Sequence, residues 1–163
     1  MFRRTMRALP IVFCAAACAP ASAEEARSNI RDSIAFEGKC RIQIAEASVP
    51  CNNGAALFRL VNDRTIVIFG SPAGMFTVAG AQEKRIDDRT QALAIDTIRF
   101  KIGDHDETVD SNMEGECRTS TSADGSRIEA IRCAVRDKVK KAKFSFDLTD
   151  ITTAKRTVVT GSK

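Results

Sequence analysis

Between Gly103 and Glu116 the chain places Asp104, Asp106, Glu107, Asp110, Glu114 and Glu116 with no Lys or Arg among them, and its only His, His105, lies in the same stretch. Oxygen-rich side chains at alternate positions suit a hard cation such as Ca²⁺, and Asp104-x-Asp106-x-x-x-Asp110 imitates part of an EF-hand loop. The imitation is partial. Val109 stands where that loop has Gly, and Gly115 stands where it has its bidentate Glu. Asp104, Asp106 and Asp110 are thus candidate metal ligands, competing with a plain reading of the segment as a solvated acidic hairpin loop.

Catalytic constellations are sparse. His105 is the one side chain that ordinarily titrates near neutrality. There is no Gly-x-Ser-x-Gly elbow, no His-Glu-x-x-His and no glycine-rich phosphate loop; Gly70-Ser71-Pro72-Ala73-Gly74 reads as a turn. Carboxylates abound, so a hydrolase with an unrecognised carboxylate site remains an alternative. The chain has no Trp and no Tyr, the usual platforms for sugars and bases, and no enzyme activity or cofactor is expected.

A third chemistry is electrostatic. Residues 134–163 carry eight Lys/Arg and three Asp, whereas residues 24–133 carry fourteen Lys/Arg and eighteen acids. The basic run centres on Lys138, Lys140, Lys141 and Lys143, a candidate patch for an anionic envelope surface or an acidic protein. Because polar residues alternate there with Phe144 and Phe146, the run also reads as the solvent face of an edge strand, where Lys blocks edge-to-edge pairing.

The amino terminus sets the context for these groups. Arg3, Arg4 and Arg7 precede a short apolar stretch from Ala8 to Ala19, and Ala21-Ser22-Ala23 offers a signal-peptidase site before Glu24. Residues 1–23 therefore read as a cleaved signal peptide, residues 24–163 as a single β domain, and the location as periplasmic or secreted. Lipidation at Cys18 is a minority alternative. No segment is long enough to span a bilayer as a helix. Loss of the leader takes the formal charge from +4 to near zero, since 22 Lys/Arg then face 21 Asp/Glu. Near neutrality, export and the missing aromatic platforms all speak against nucleic acid.

Four Cys remain after cleavage, with no C-x-x-C spacing, and in an exported domain they read as two disulfides. Phe36-Glu37-Gly38-Lys39-Cys40-Arg41 recurs as Met113-Glu114-Gly115-Glu116-Cys117-Arg118, and each copy leads to a second Cys, at Val49-Pro50-Cys51 and Ile131-Arg132-Cys133. This possible repeat, residues 36–51 and 113–133, suggests two hairpins stapled by Cys40–Cys51 and Cys117–Cys133. Ser122-Ala123-Asp124-Gly125-Ser126 is a strong turn signal in the second copy. Together the Cys40-Arg41 to Val49-Pro50-Cys51 and Gly115-x-Cys117 to Ile131-x-Cys133 runs resemble a group of small exported bacterial proteins with two Cys pairs. The resemblance spans roughly residues 36–133. It implies export and a β fold, and it assigns no site.

Strand signals fill the rest. Residues 56–61 and 65–70 flank Asn62-Asp63-Arg64 as a hairpin, and the unbroken apolar run Ile66-Val67-Ile68-Phe69 predicts a central strand covered on both faces. Leu93 and Ile95 share one parity while Ile98, Phe100 and Ile102 share the other, which predicts a bulge near Asp96-Thr97 or a bend between sheets. Residues 142–148 alternate as a half-buried strand. Only residues 81–89 suggest a short helix, and residues 24–32 and 156–163 read as loose ends. The fold expected is all-β, an antiparallel sandwich or small barrel of eight to nine short strands.

The function expected is a non-enzymatic envelope or periplasmic β-domain that binds another protein, of modulator or inhibitor type. The alternative is a small-ligand-binding barrel with Phe58, Phe69, Phe76 and Phe100 around an interior pocket. Reduction should lower the melting midpoint substantially, because each bridge contributes about 3 kcal/mol for loops this short. A Cys40→Ser/Cys51→Ser variant should reproduce part of that drop in a thermal melt, and mass mapping that joined Cys40 to Cys117 would overturn the pairing.

Overall fold

Period-two alternation of buried and exposed residues persists along most of the strands, and the chain pairs them antiparallel throughout. The computed structural model describes residues 29–102 and 108–158. The strands are β1 (Ile30–Ile44), β2 (Ala47–Val49), β3 (Gly54–Leu60), β4 (Arg64–Ser71), β5 (Gly74–Arg85), β6 (Thr90–Ile102), β7 (Thr108–Asp110), β8 (Met113–Thr121), β9 (Ile128–Asp137) and β10 (Lys143–Val158). Eight of them form a closed circuit, β1-β3-β4-β5-β6-β8-β9-β10, and β10 returns to pair with β1. The short β2 and β7 add to β1 and β6 outside the circuit. Of sandwich and barrel, the fold is therefore a barrel.

Closure rests on the longest ladder in the molecule. β1 and β10 pair from Asp32↔Val158 to Ile44↔Phe144, interrupted by a bulge between Glu37 and Lys39. Residues 30–32 and 156–158, expected as loose ends, are thus strand: Asp32 points inward with Ile34 and Phe36 and is buried with them. The expected helix over residues 81–89 is also absent. β5 continues to Arg85, and its alternation is masked because Gln82, at φ 66°, is an extra residue in the ladder to β6.

The predicted bulge on β6 is present, with Ala79 opposite Thr97 and Gly80 opposite Ile95, so that Asp96 is the unpaired residue. That bulge lets Leu93 and Ile95, then Ile98, all face the core. The β4 run behaves differently from expectation. Val67 and Phe69 point inward, whereas Ile66 and Ile68 lie half-buried on the outer wall, because a single-walled barrel offers only one covered face.

Inside, aromatic rings fill the end of the barrel that carries the β4–β5 and β9–β10 turns. Phe146 stacks on Phe69 at 5.3 Å and lies 6.1 Å from Phe76, which in turn stands 6.5 Å from Phe100. Phe69, Phe76 and Phe146 are essentially inaccessible, packed with Ile42, Val78, Ile98, Ile131 and Leu148. Outside, β8 and β9 present Glu114, Glu116, Arg118, Arg132 and Arg136. An apolar lumen with a charged wall is the inverse of a lipid-facing barrel.

Two disulfides are present, Cys40–Cys51 and Cys117–Cys133. Cys117 and Cys133 sit directly opposite each other on β8 and β9, both buried. Cys40 on β1 reaches Cys51 in the segment between β2 and β3.

At Gly80 the β6 bulge brings backbone so close that a Cβ would lie 1.8 Å from the Ala94 carbonyl oxygen. Gly80→Ala should therefore cost about 2–3 kcal/mol in urea unfolding. Gly125, at φ 69° with open space around it, should tolerate Ala at a cost of about 1 kcal/mol.

Candidate functional site

The described end of the acidic segment and the basic run lie together at the aromatic-filled end of the barrel. β9 ends at Asp137, whose carboxylate accepts the Val139 and Lys140 backbone N–H groups at 2.7 and 2.8 Å, tying residues 137–142 into a turn. Lys138 N–H donates to the Asn112 carbonyl at 2.8 Å, which moors this turn against the β7–β8 connection. As a result Lys140 Nζ comes within 3.9 Å of Asp110, and Lys141 Nζ donates to the Lys138 carbonyl at 2.6 Å. Lys138, Lys140 and Lys141 thus occupy a turn, and Lys143 opens β10 where that strand has neighbours on both sides. The edge-strand reading of this run is corrected: closure leaves no sheet edge there.

Of the candidate metal ligands, Asp104 and Asp106 lie outside the described residues, as do His105, the signal segment and Cys18. Asp110 is described. Its carboxylate accepts the Asn112 N–H at 2.9 Å and faces the Lys140 ammonium at 3.9 Å. Among the described residues no cluster of three potential ligands forms.

Beside the turn, the outer wall of β8, β9, β10 and β1 dips into a groove of about 650 Å³. Gly115 contributes no side chain and Ala134 little, so the wall is thin there and the half-buried Phe144 lines the groove beside them. Gln43 flanks the groove, Arg136 on its rim pairs with Glu114, and Lys143 makes no ion pair among the described residues.

A second charged group lies inside the barrel at the opposite end. Asp32, with a side chain 7% exposed, receives Arg156 at 3.1 Å and Arg59 at 3.5 Å. Arg59 also reaches Glu83 at 3.1 Å, and the Thr65 hydroxyl donates to the same carboxylate at 2.6 Å. Two acids thus share one guanidinium, and every member has a partner. The adjoining cavity, between Leu57, Val67, Leu93 and Thr119, has a volume of about 20 Å³, the scale of a single water. This group was legible in principle: Asp32 shares parity with Ile34 and Phe36, and Arg59 with Ala55 and Leu57. A charge on the apolar parity of a strand was the signal, hidden because residues 24–32 read as a tail.

Among the Phe residues proposed around an interior ligand, Phe69, Phe76 and Phe100 do face inward, but the first two fill the lumen themselves. Phe58 lies on the outer parity of β3, opposite Ile66.

With this geometry in hand, comparison with known proteins is brief. The chain matches no family model, and no curated protein or solved structure is similar to it. What is known of the site therefore comes from its own residues.

Four carboxylates are held below the ordinary Asp range, one of them Asp87, which accepts the Arg89 backbone N–H. Arg64 donates bidentately to Asp96 at 2.6 and 3.1 Å across β5, the Ser122 and Ser126 hydroxyls donate to Asp124, and the Lys140 N–H to Asp137. A lowered folded-state pKa means the charged form stabilises the fold; that stability is complete above the ordinary value of 3.8 and is lost as pH falls through the lowered values. The melting midpoint should hold steady from neutrality to about pH 5 and fall below about pH 4. Asp96→Asn should lower it at pH 7 and flatten the acid decline, as read by circular dichroism.

Proposed function

We propose that this chain is a non-enzymatic exported β-domain, periplasmic or secreted, that binds another protein of the cell envelope as a modulator or inhibitor. The observation that carries this reading is the filled lumen. The Phe69–Phe76–Phe146 stack occupies one end, and Asp32, Arg59 and Glu83 gather at the other beside a water-sized cavity. Recognition is then assigned to the outer wall, where the groove over Ala134 joins an apolar floor to the Arg136 and Lys143 rim.

Other features support the same reading. Two disulfides are consistent with an oxidising extracytoplasmic compartment. We read each bridge as the staple of its own hairpin, which presents the surrounding surface at low entropic cost. Among the described residues no helix is long and apolar enough to cross a membrane. The Lys138, Lys140 and Lys141 turn beside the groove adds positive potential that would favour an acidic face on the partner.

Immobilised protein should retain a discrete protein from an envelope extract. Ala134→Arg, which raises a charged side chain from the groove floor, should reduce retention at least about tenfold without altering the melt. Retention that is unchanged by Ala134→Arg, or that never occurs, would sink this reading.

A further inference from the structure

β10 parts from β9 after Leu148↔Ile131 and continues to Val158 with β1 as its only strand neighbour among the described residues. Residues 152–158 are exposed on both faces. Where the two strands separate, a groove of about 420 Å³ opens, lined by Ile128, Ala130, Thr149 and Ile151 and bordered by Arg127 and Arg132. Beyond Leu148 the closure lapses and β10 presents a strand edge, as the short β2 and β7 also do. Alternate residues of such an edge direct N–H and C=O groups outward, a template for one more strand.

Charge indicates what fits. Glu129 is paired with Arg89, Asp150 with Lys39, and Arg156 with Asp32. Arg127, Arg132 and Lys155 make no ion pair among the described residues, and neither do the neighbouring Glu37 and Asp147, so three unpaired cations face two unpaired acids and the balance around the edge is positive. A second copy adding antiparallel about the middle of the exposed stretch would set Lys155 directly against its own copy, which is destabilising. An acidic strand meets the opposite situation.

We propose that the exposed edge of β10, residues 152–158, accepts an extended acidic segment of a partner protein as an additional strand. Main-chain hydrogen bonds supply the affinity, carboxylates on the segment face Arg127, Arg132 and Lys155, and small apolar side chains cover the Ile128–Ile151 floor. The proposal rests on the protein-binding reading and names a mode and a partner chemistry for it.

The probe is a fluorescent dodecapeptide of alternating Thr and Glu, titrated into the purified protein, with an alternating Thr/Lys peptide as control. The Thr/Glu peptide should bind saturably and more weakly in salt, and hydrogen exchange should slow at the amides of residues 152–158. The Arg127→Glu/Arg132→Glu/Lys155→Glu variant changes only exposed side chains; it should keep its melt and lose affinity at least about tenfold. No binding, equal affinity for the variant, or protection elsewhere would overturn the proposal. So would sedimentation as a dimer with residues 152–158 protected before peptide is added, which would assign the edge to a second copy. Ala134→Arg should bind the peptide as the unaltered protein does, so failure of the outer groove and failure of the β10 edge give different results.

Discussion

The pairing of the first long strand with the last is the constraint on which the barrel depends. Without the β1–β10 ladder the other strands would form an open, twisted sheet, with one edge at β3 and the other at β9. Its inner face would lose Ile42 and Phe146, both fully buried and both contributed by the closing pair. Phe146 is the hinge of the aromatic cluster, touching both Phe69 and Phe76. Closure thus buries the core and gives β10 a neighbour on each side over residues 144–148 in one step.

The same ladder divides the interior into two chemistries. Where β10 is flanked by both β1 and β9, the lumen is filled by buried aromatic rings. Where β10 runs on without β9, its residues are exposed, and Arg156 ties the unsupported strand to the buried Asp32 on β1. Asp32 is connected through Arg59 to Glu83 on β5, so the ion network spans the mouth from β10 to β5. These side chains do at the open end what ring stacking does at the closed end, and they do it where water can reach part of the network.

Much of this was written in the chain. Parity marked the strands, the change of parity between Ile95 and Ile98 marked the β6 bulge, and the recurrence of Glu-Gly-x-Cys-Arg suggested both cysteine pairs. Barrel and sandwich share the same alternation, so only the long-range β1–β10 register could separate them. Gln82 disguised a strand as irregular, and Ile66 and Ile68 disguised a one-sided strand as a two-sided one. The Lys cluster was visible, but its place in a turn depended on the Asp137 carboxylate capping backbone N–H groups, a contact with no strong composition signal. Asp32, Arg59, Glu83 and Arg156 lie far apart along the chain, and nothing but the closed fold brings them together.

A final consequence concerns when the barrel can form. β8 and β9 are neighbours in sequence and can pair as soon as both exist, whereas β1 must wait for a strand that ends at Val158. Such a non-local closing contact slows folding. It also means that an incomplete chain emerging from the ribosome lacks the partner it needs to seal its core. The core of the nascent polypeptide would stay unsealed until β10 has been made.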